Sequence, residues 1–316
     1  MGKENDMKNK ESQYVKILRE ICEEEGIRLF SYSSDWAFML EKEGKRAFIL
    51  GYQFGLNASS VQQICTDKNI ASEILRQEGI PSVYHSCYMS TRLQSCIGAD
   101  GNWSSLLGEL QKYGTIVCKD NYGTGGNQVY LVKTPGELED AAGKVFAVSD
   151  AMAVCPYEEI REEYRMVILD GEIRLAFTKL RPSLTGDGEK TVRELFADAV
   201  LRGEADGMTV PDAKTMNLRP QKGEQVLLGW KHNLGQGARA LELDLGQMDK
   251  NAAALADRVY RALNIRFASV DVIHCADGWK VLEVNSGVMM EHFASTGPDY
   301  YRKAKSIYRD AVLRML

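Results

Sequence analysis

The stretch Ser269–Phe293, SVDVIHCADGWKVLEVNSGVMMEHF, holds two apolar runs separated by Ala276-Asp277-Gly278, and each run carries a carboxylate. The runs read as two strands of a hairpin. A strand buried on both sides would exclude Asp271 and Glu283, so one face of this ribbon must meet something other than core. Taking Ala276-Asp277-Gly278 as a three-residue loop predicts Cys275 opposite Trp279 and Asp271 directly opposite Glu283. Alternation along the strands then gathers Asp271, Glu283 and Asn285 on one face. Like charges across a ladder repel, so something positive is expected between them. Hard oxygen donors favour Mg²⁺ or Mn²⁺ over zinc, with water and phosphate completing the shell. A two-residue loop would slip the register by one and undo the pairing. For the hairpin alone, a solvated sheet face is the plainer alternative.

A second polar feature lies upstream. In VCKDNYGTGGNQVYLV, Lys119 closes a predicted strand, Thr115–Asp120. A loop with Gly123, Gly125 and Gly126 leads into another strand, Gln128–Val132. Glycines let backbone amides approach an anion closely. The loop opens no helix with Gly-Lys-Ser/Thr, so it is not a Walker A loop, and a strand follows it, so it is not a dinucleotide fingerprint. GDGEKT, from Gly186 to Thr191, has the wrong spacing for a phosphate loop as well. Lys68 follows Asp67, a good N-cap for the helix KNIASEILRQEG. A lysine there is ordinarily solvated, and it matters only if it faces the same anion as Lys119.

Around these features the chain alternates short strands with helices. Helices are expected over Glu11–Glu25, Pro135–Val145, EKTVRELFADAV, DKNAAALADRVYRALN and the C-terminal DYYRKAKSIYRDAVLRML, with strands at IRLFSYS and RAFILGY. YRMVILDGEIRLAF is a hairpin whose Asp170-Gly171 pair suits a type I′ turn. Strands arrive as hairpins, not as alternating βαβ units, which makes the fold class α+β with antiparallel sheets. A length of 316 residues calls for two or three lobes. The net charge of −5 argues against a nucleic-acid surface, and no apolar run reaches membrane-span length. The polar N-terminus lacks a signal-peptide core. Seven cysteines, none in a Cys-x-x-Cys pair, exclude a zinc or disulfide framework and place the chain in a reducing cytoplasm.

In order, DKNIASEILRQEGIP, VCKDNYGTGGNQV, CPYEEIREEYRMVILDGEI, WKHNLGQGA and SVDVI…VLEVNSG resemble the ATP-grasp superfamily, over roughly Asn57 to the end of the chain. RPSLTGDGEKTVRELF and NASSVQQICTDK are similar to stretches of the ATP-grasp modules of cyanophycin synthetase and bifunctional glutathione-forming ligases. WKHNLGQGA resembles an Arg-Ser-Asn-rich segment of ribosomal-protein glutamate ligases. The resemblance implies three lobes with ATP between the central and C-terminal ones. Their expected limits here are 1–66 for a leading lobe, 67–156 for the central lobe and 157–316 for the C-terminal lobe.

It further implies ATP and Mg²⁺ (or Mn²⁺) as cofactors. Lys68 and Lys119 would meet the phosphates under a lid of Gly123, Gly125 and Gly126. Glu158 and Glu159 would form the hinge that reads adenine, and Glu163 would take the ribose hydroxyls. Asp271, Glu283 and Asn285 would hold the metal. Arg165, Lys231 and Asn233 would face the transferred phosphate and the acyl intermediate, with Arg181 near the phosphate or the acceptor. The hinge segment EEIREEYR lacks the glycine common in relatives, which leaves Glu162 as the alternative to Glu163. Lys231 stands where relatives often have Arg, which turns a bidentate contact into a point charge.

The implied activity is an ATP-dependent carboxylate–amine ligase acting on an amino acid or short peptide through an acylphosphate. One alternative is a ligase that modifies or cross-links a ribosomal precursor peptide. Another is a nucleotide-binding module without turnover. Small-molecule or peptide substrates are the expected partners, without nucleic acid or membrane, and a homodimer is a candidate assembly. The plainer roles are structural for His232 and His274, a pocket border for His292, packing for Met289 and Met290, and a surface ion pair for Arg181.

Overall fold

The computed structural model describes residues 12–97, 103–205, 208, 210–230 and 238–316. Lys231, His232 and Asn233 lie outside the described residues. Helix α1 (Gln13–Glu24) forms because Tyr14, Val15, Ile17, Leu18, Ile21 and Cys22 make one apolar face, and Ser12 caps its first turn by accepting from Val15 N. Strands β1 (Arg28–Tyr32), β2 (Ala37–Lys42), β3 (Lys45–Leu50) and β4 (Gln53–Phe54) follow as an antiparallel meander. Helices α2 (Ser59–Thr66) and α3 (Lys68–Gln77) lead out of it.

A second four-stranded sheet has the order β5-β8-β6-β7. It comprises β5 (Ser86–Met89), β6 (Ile116–Asp120), β7 (Val129–Val132) and β8 (Ala151–Pro156), with α4 (Thr91–Ile97), α5 (Trp103–Tyr113) and α6 (Pro135–Phe146) between them. Leu106, Leu110, Leu138 and Val145 of α5 and α6 cover one of its faces. Its other face carries Val117, Lys119 and Cys155.

The third sheet, β13-β10-β9-β14-β15, is built from two hairpins. The first joins β9 (Glu162–Leu169) to β10 (Glu172–Leu180), and the second joins β14 (Phe267–Cys275) to β15 (Gly278–Asn285). Between them lie β11 (Ser183–Thr185), α7 (Val192–Leu201), α8 (Ala213–Met216), β12 (Gln225–Leu227), the edge strand β13 (Arg239–Glu242) and α9 (Lys250–Leu263). The chain ends in α10 (Glu291–Ala294) and α11 (Pro298–Leu313). Among the described residues every pair of these strands is antiparallel, and one isolated bridge, Ser82 with Val281, is parallel. No described helix is long and apolar enough to cross a membrane, and all seven cysteines are free thiols.

The cores do not follow chain segments. α1, the N-terminal sheet and α11 share one core with Val167, Leu175 and Phe177 of the third sheet. Tyr308 centres it, stacked on Phe54 with ring centroids 5.6 Å apart; its hydroxyl donates to Val288 O and accepts from Met290 N. On the opposite face of the third sheet, α9 packs Leu255, Ala256 and Val259 on Val270, Val272 and Val281, together with Leu75 of α3.

Both hairpins of the third sheet depend on a bulge. In β9–β10 the turn is the expected one: Asp170 and Gly171 both have positive φ, 49° and 85°. A Cβ on Gly171 would stand 2.9 Å from the Tyr260 ring. Gly171→Ala is therefore expected to cost about 2 kcal/mol from left-handed strain alone, read as a lower urea midpoint. The register then shifts between Ile173 and Leu175. In β14–β15 the expected three-residue loop is wrong. Cys275 pairs with Gly278, leaving the two-residue loop Ala276-Asp277. That loop alone would have spoiled the acidic pairing, but a bulge at Leu282 restores it, and Asp271 stands opposite Glu283.

Candidate active site

The bulge turns two successive residues, Leu282 and Glu283, toward the same cleft, while Val281 and Val284 stay in the core under α9. Asn285 follows Glu283 on the cleft side. Central strand β14 places Asp271 between Arg165 of β9 on one side and Glu283 on the other. The segment 157–161 links the second sheet to the third. It is anchored at both ends, by Tyr157 N donating to Thr115 O and Arg161 N donating to His274 O. The two sheets thereby enclose a cavity of about 790 Å³.

Every described site residue expected from the sequence lines that cavity. Lys68, Lys119, Gly123, Gly125, Gly126, Glu158, Glu159, Glu163, Arg165, Arg181, Asp271, Glu283 and Asn285 all border it. Lys231 and Asn233 fall outside the described residues. One end is apolar, walled by Val117, Val129 and Cys155 of the second sheet and by Leu282 and Trp230. The middle is charged. A flat ring system fits the first and an anionic tail the second.

Lys68 is not solvated as its position after an N-cap suggested. It is buried, and its Nζ donates to the carbonyls of Asn121 (3.2 Å) and Gly123 (2.6 Å) and stands 3.5 Å from Glu283 Oε1. Burial lowers its pKa, and the Glu283 carboxylate opposes that shift. The ammonium thus ties the glycine-rich loop, with Gly125 and Gly126 at φ 68° and 71°, to the acidic ribbon. Lys119 is also buried, but its ammonium forms no ion pair or hydrogen bond among the described residues. A buried, unmatched ammonium facing a cavity suits an anionic ligand. Lys119→Met is expected to raise the thermal midpoint of the nucleotide-free protein while weakening nucleotide binding about tenfold or more, measured by calorimetry.

Arg165 grips Asp271 with two hydrogen bonds, Nε to Oδ1 at 2.7 Å and Nη2 to Oδ2 at 2.5 Å. Lys179 bridges Glu163 and Asp271, 3.2 Å from the latter. Burial alone would raise the Asp271 pKa, but Arg165 and Lys179 outweigh it and hold the carboxyl at about 2. At Glu163 burial wins over Lys179, and the pKa is raised. Glu162, the alternative at this position, is exposed and accepts from the Tyr164 hydroxyl, away from the cavity. In the 157–161 segment, Glu158 accepts from the Lys280 ammonium at 3.0 Å. Arg181 borders the cavity without an ion pair among the described residues.

Among the described residues, no group of three His, Cys, Asp or Glu side chains is placed to hold a metal. The donor set is instead two carboxylates and an amide, and Asp271 already serves Arg165 and Lys179. Glu283 and Asn285 are the better placed of the three. The buried Asn285 Nδ2 has no hydrogen-bond partner, which suits a group that meets a polar ligand.

Sequence reasoning missed Lys179. Counting back from the Asp170-Gly171 turn pairs it with Glu162, and only the bulge near Arg174 brings it to Glu163. It also missed Trp36 and Tyr52 of the N-terminal sheet, which reach the cavity mouth, and His85. His85 is buried behind the two lysines; burial first, then Lys119 and Lys68, push its pKa well down. His274 is structural, stacked on Trp279 at 4.8 Å. Met290 is core, whereas Met289 and His292 line the cavity.

A bifunctional glutathione synthetase from Pasteurella multocida superposes with a TM-score of 0.55 at 15% identity, over 94% of this chain and 44% of that one. The fold is that of the ATP-grasp ligases. The D-cycloserine synthetase DcsG shares it, with a TM-score of 0.50 at 15% identity over 81% of this chain and 73% of that one. The ATP-grasp ligase PsnB, in a structure complexed with minimal precursor, gives a TM-score of 0.46 at 12% identity, over 80% of this chain and 64% of that one. No protein-family model and no curated protein matches the sequence. The chain spans less than half the length of the glutathione synthetase. In this ATP-grasp fold the cavity lies where the second and third sheets face each other, with the glycine-rich β6–β7 loop at its rim.

Proposed function

We propose that the chain is an ATP-dependent carboxylate–amine ligase that forms an amide or peptide bond on an amino acid or short peptide through an acylphosphate. The observation that carries this reading is a cavity with an apolar end and a charged middle, where Lys68, Lys119, Arg165, Lys179 and Arg181 stand among Asp120, Glu163, Asp271 and Glu283, and where the buried Lys119 ammonium has no ion-pair partner among the described residues. The lobes at 1–66, 67–156 and 157–316 belong to the same proposal.

The adenine sits in the apolar end beside the hinge at Glu158 and Glu159. Glu163 and its partner Lys179 face the span between ribose and triphosphate. Lys68, Lys119 and the amides from Gly123 to Gly126 cradle the phosphates. Glu283 and Asn285, with the remaining lone pairs of Asp271, hold Mg²⁺ or Mn²⁺, which when bound neutralises phosphoryl oxygens. A substrate carboxylate oxygen attacks the γ-phosphorus, and the bond to the β-bridging oxygen breaks, releasing ADP. The amine attacks the acyl carbon, the carbon–oxygen bond to phosphate breaks, and the nitrogen loses a proton. Arg165 and Arg181 steady the charge that moves onto the phosphoryl group, with Lys231 and Asn233 assigned there by resemblance alone. No side-chain nucleophile is required.

The test is a phosphate-release screen of amino acids and dipeptides, offered singly and in pairs, with mass spectrometry of the products. Phosphate is expected only when a carboxylate and an amine are both present, with a product lighter than their sum by one water. Nucleotide binding without turnover across the screen would favour a binding module instead.

A further inference from the structure

The N-terminal sheet buries one face and exposes the other. Phe38, Leu40, Ala47 and Ile49 of β2 and β3 point into the core shared with α1 and α11. Alternation should make the opposite positions polar. They are instead Phe30, Met39 and Phe48 in one cross-strand row and Tyr32, Ala37 and Leu50 in the next. Phe48 is 61% exposed, Leu50 55% and Tyr32 49%. Trp36, 58% exposed, extends the patch from the β1–β2 turn. Its ring lies on Gly51, which has φ 55° and where a Cβ would come 2.9 Å from the ring. A continuous apolar patch of this kind on a free surface marks a contact site.

The place the patch leads to indicates what covers it. Trp36, Leu50 and Gly51 belong both to the patch and to the wall of the active-site cavity, beside Tyr52 and Gln53. At the far end, Arg28 and Arg46 share the single carboxylate of Glu41, two cations against one anion. From Leu50 to Arg46 is about 13 Å of strand, the reach of roughly four extended residues. A second copy of the chain seated here would close the cavity mouth at Trp36 and Leu50, which argues against it.

We infer that the substrate is a peptide, and that this face binds the residues flanking its reacting group. Aromatic or aliphatic side chains lie on the two apolar rows. An acidic residue or terminal carboxylate meets Arg28 and Arg46. The reacting end passes over Trp36 into the cavity. The inference rests on the ligase reading and narrows its substrate class.

The test uses the full chain and an array of octapeptides with alternating Phe, Leu or Val and an acidic end, each beside a counterpart with Ser and Gly at the apolar positions. The wild type is expected to bind the apolar set about tenfold or more tightly than the counterparts. Phe30→Ser combined with Phe48→Ser should erase that preference, and Arg46→Gln, which leaves Glu41 paired with Arg28, should weaken only peptides with the acidic end. Thermal midpoints and MgADP binding by calorimetry should stay at wild-type values. Equal binding of both sets, or a preference that survives the double substitution, would overturn the inference. So would a concentration-dependent dimer that the double substitution dissolves. Failure of the wild type to bind MgADP, with the peptide preference intact, would overturn the ligase reading and leave the peptide face standing.

Discussion

Glu283→Gln is expected to lower the rate of phosphate release by about two to three orders of magnitude while the protein stays folded. The replacement keeps shape and hydrogen-bonding capacity but removes the charge that the bulged ribbon turns into the cleft. It also leaves Lys68, already buried and 3.5 Å from that carboxylate, with only the carbonyls of Asn121 and Gly123. The loss should appear mainly in kcat, because the charge matters most when phosphoryl oxygens must be neutralised. Steady-state kinetics in Mg²⁺ and in Mn²⁺ check this. A rise in KM with kcat unchanged would assign Glu283 to uniform binding of substrate and transition state instead.

Asp271→Asn is expected to destabilise the fold by about 3–5 kcal/mol and to abolish turnover. Asp271 is buried, accepts two hydrogen bonds from Arg165 and stands 3.2 Å from Lys179. Without its charge, the partly buried Arg165 loses its bidentate partner and keeps only the pull of Glu283 and Glu163. The stability loss should therefore exceed that of Arg165→Met and Asp271→Leu made together, which removes both charges and leaves Lys179 with Glu163. The pair of substitutions should recover much of the stability and none of the activity. Urea unfolding followed by tryptophan fluorescence separates the cases. If the single and double substitutions cost the same, the ion pair is not what Asp271 contributes to the fold.

Much of this arrangement was legible in the chain. Carboxylates inside otherwise apolar strand runs announced a face that could not be core, and Asp170-Gly171 announced its turn. The glycines after Lys119 announced a loop whose backbone approaches something. What the sequence hid were the two bulges. A bulge at Leu282 has no marker of its own, because Leu282 is as apolar as Val281 before it and simply faces the other way. The acidic pairing was reached through a loop one residue too long, whose error the unforeseen bulge cancels. The bulge near Arg174 was not cancelled by anything, and Lys179 was lost with it. Burial of Lys68 was hidden for a different reason: local capping rules describe its helix, whereas the carbonyls that receive it come from residues more than fifty positions away. The aromatic outer face of β1–β3 was missed because alternation reads exposed and buried faces alike when both are apolar.

The central claim is that Glu283 and Asn285, on the bulged ribbon facing Lys68 and Lys119, hold a divalent cation against a nucleotide's phosphates. Mn²⁺ titration followed by electron paramagnetic resonance, with and without a non-hydrolysable ATP analogue, measures this directly. The account predicts tight Mn²⁺ binding only when the nucleotide is present, and its loss in Glu283→Gln. Nucleotide binding that recruits no Mn²⁺, or Mn²⁺ binding that Glu283→Gln leaves unchanged, would contradict it.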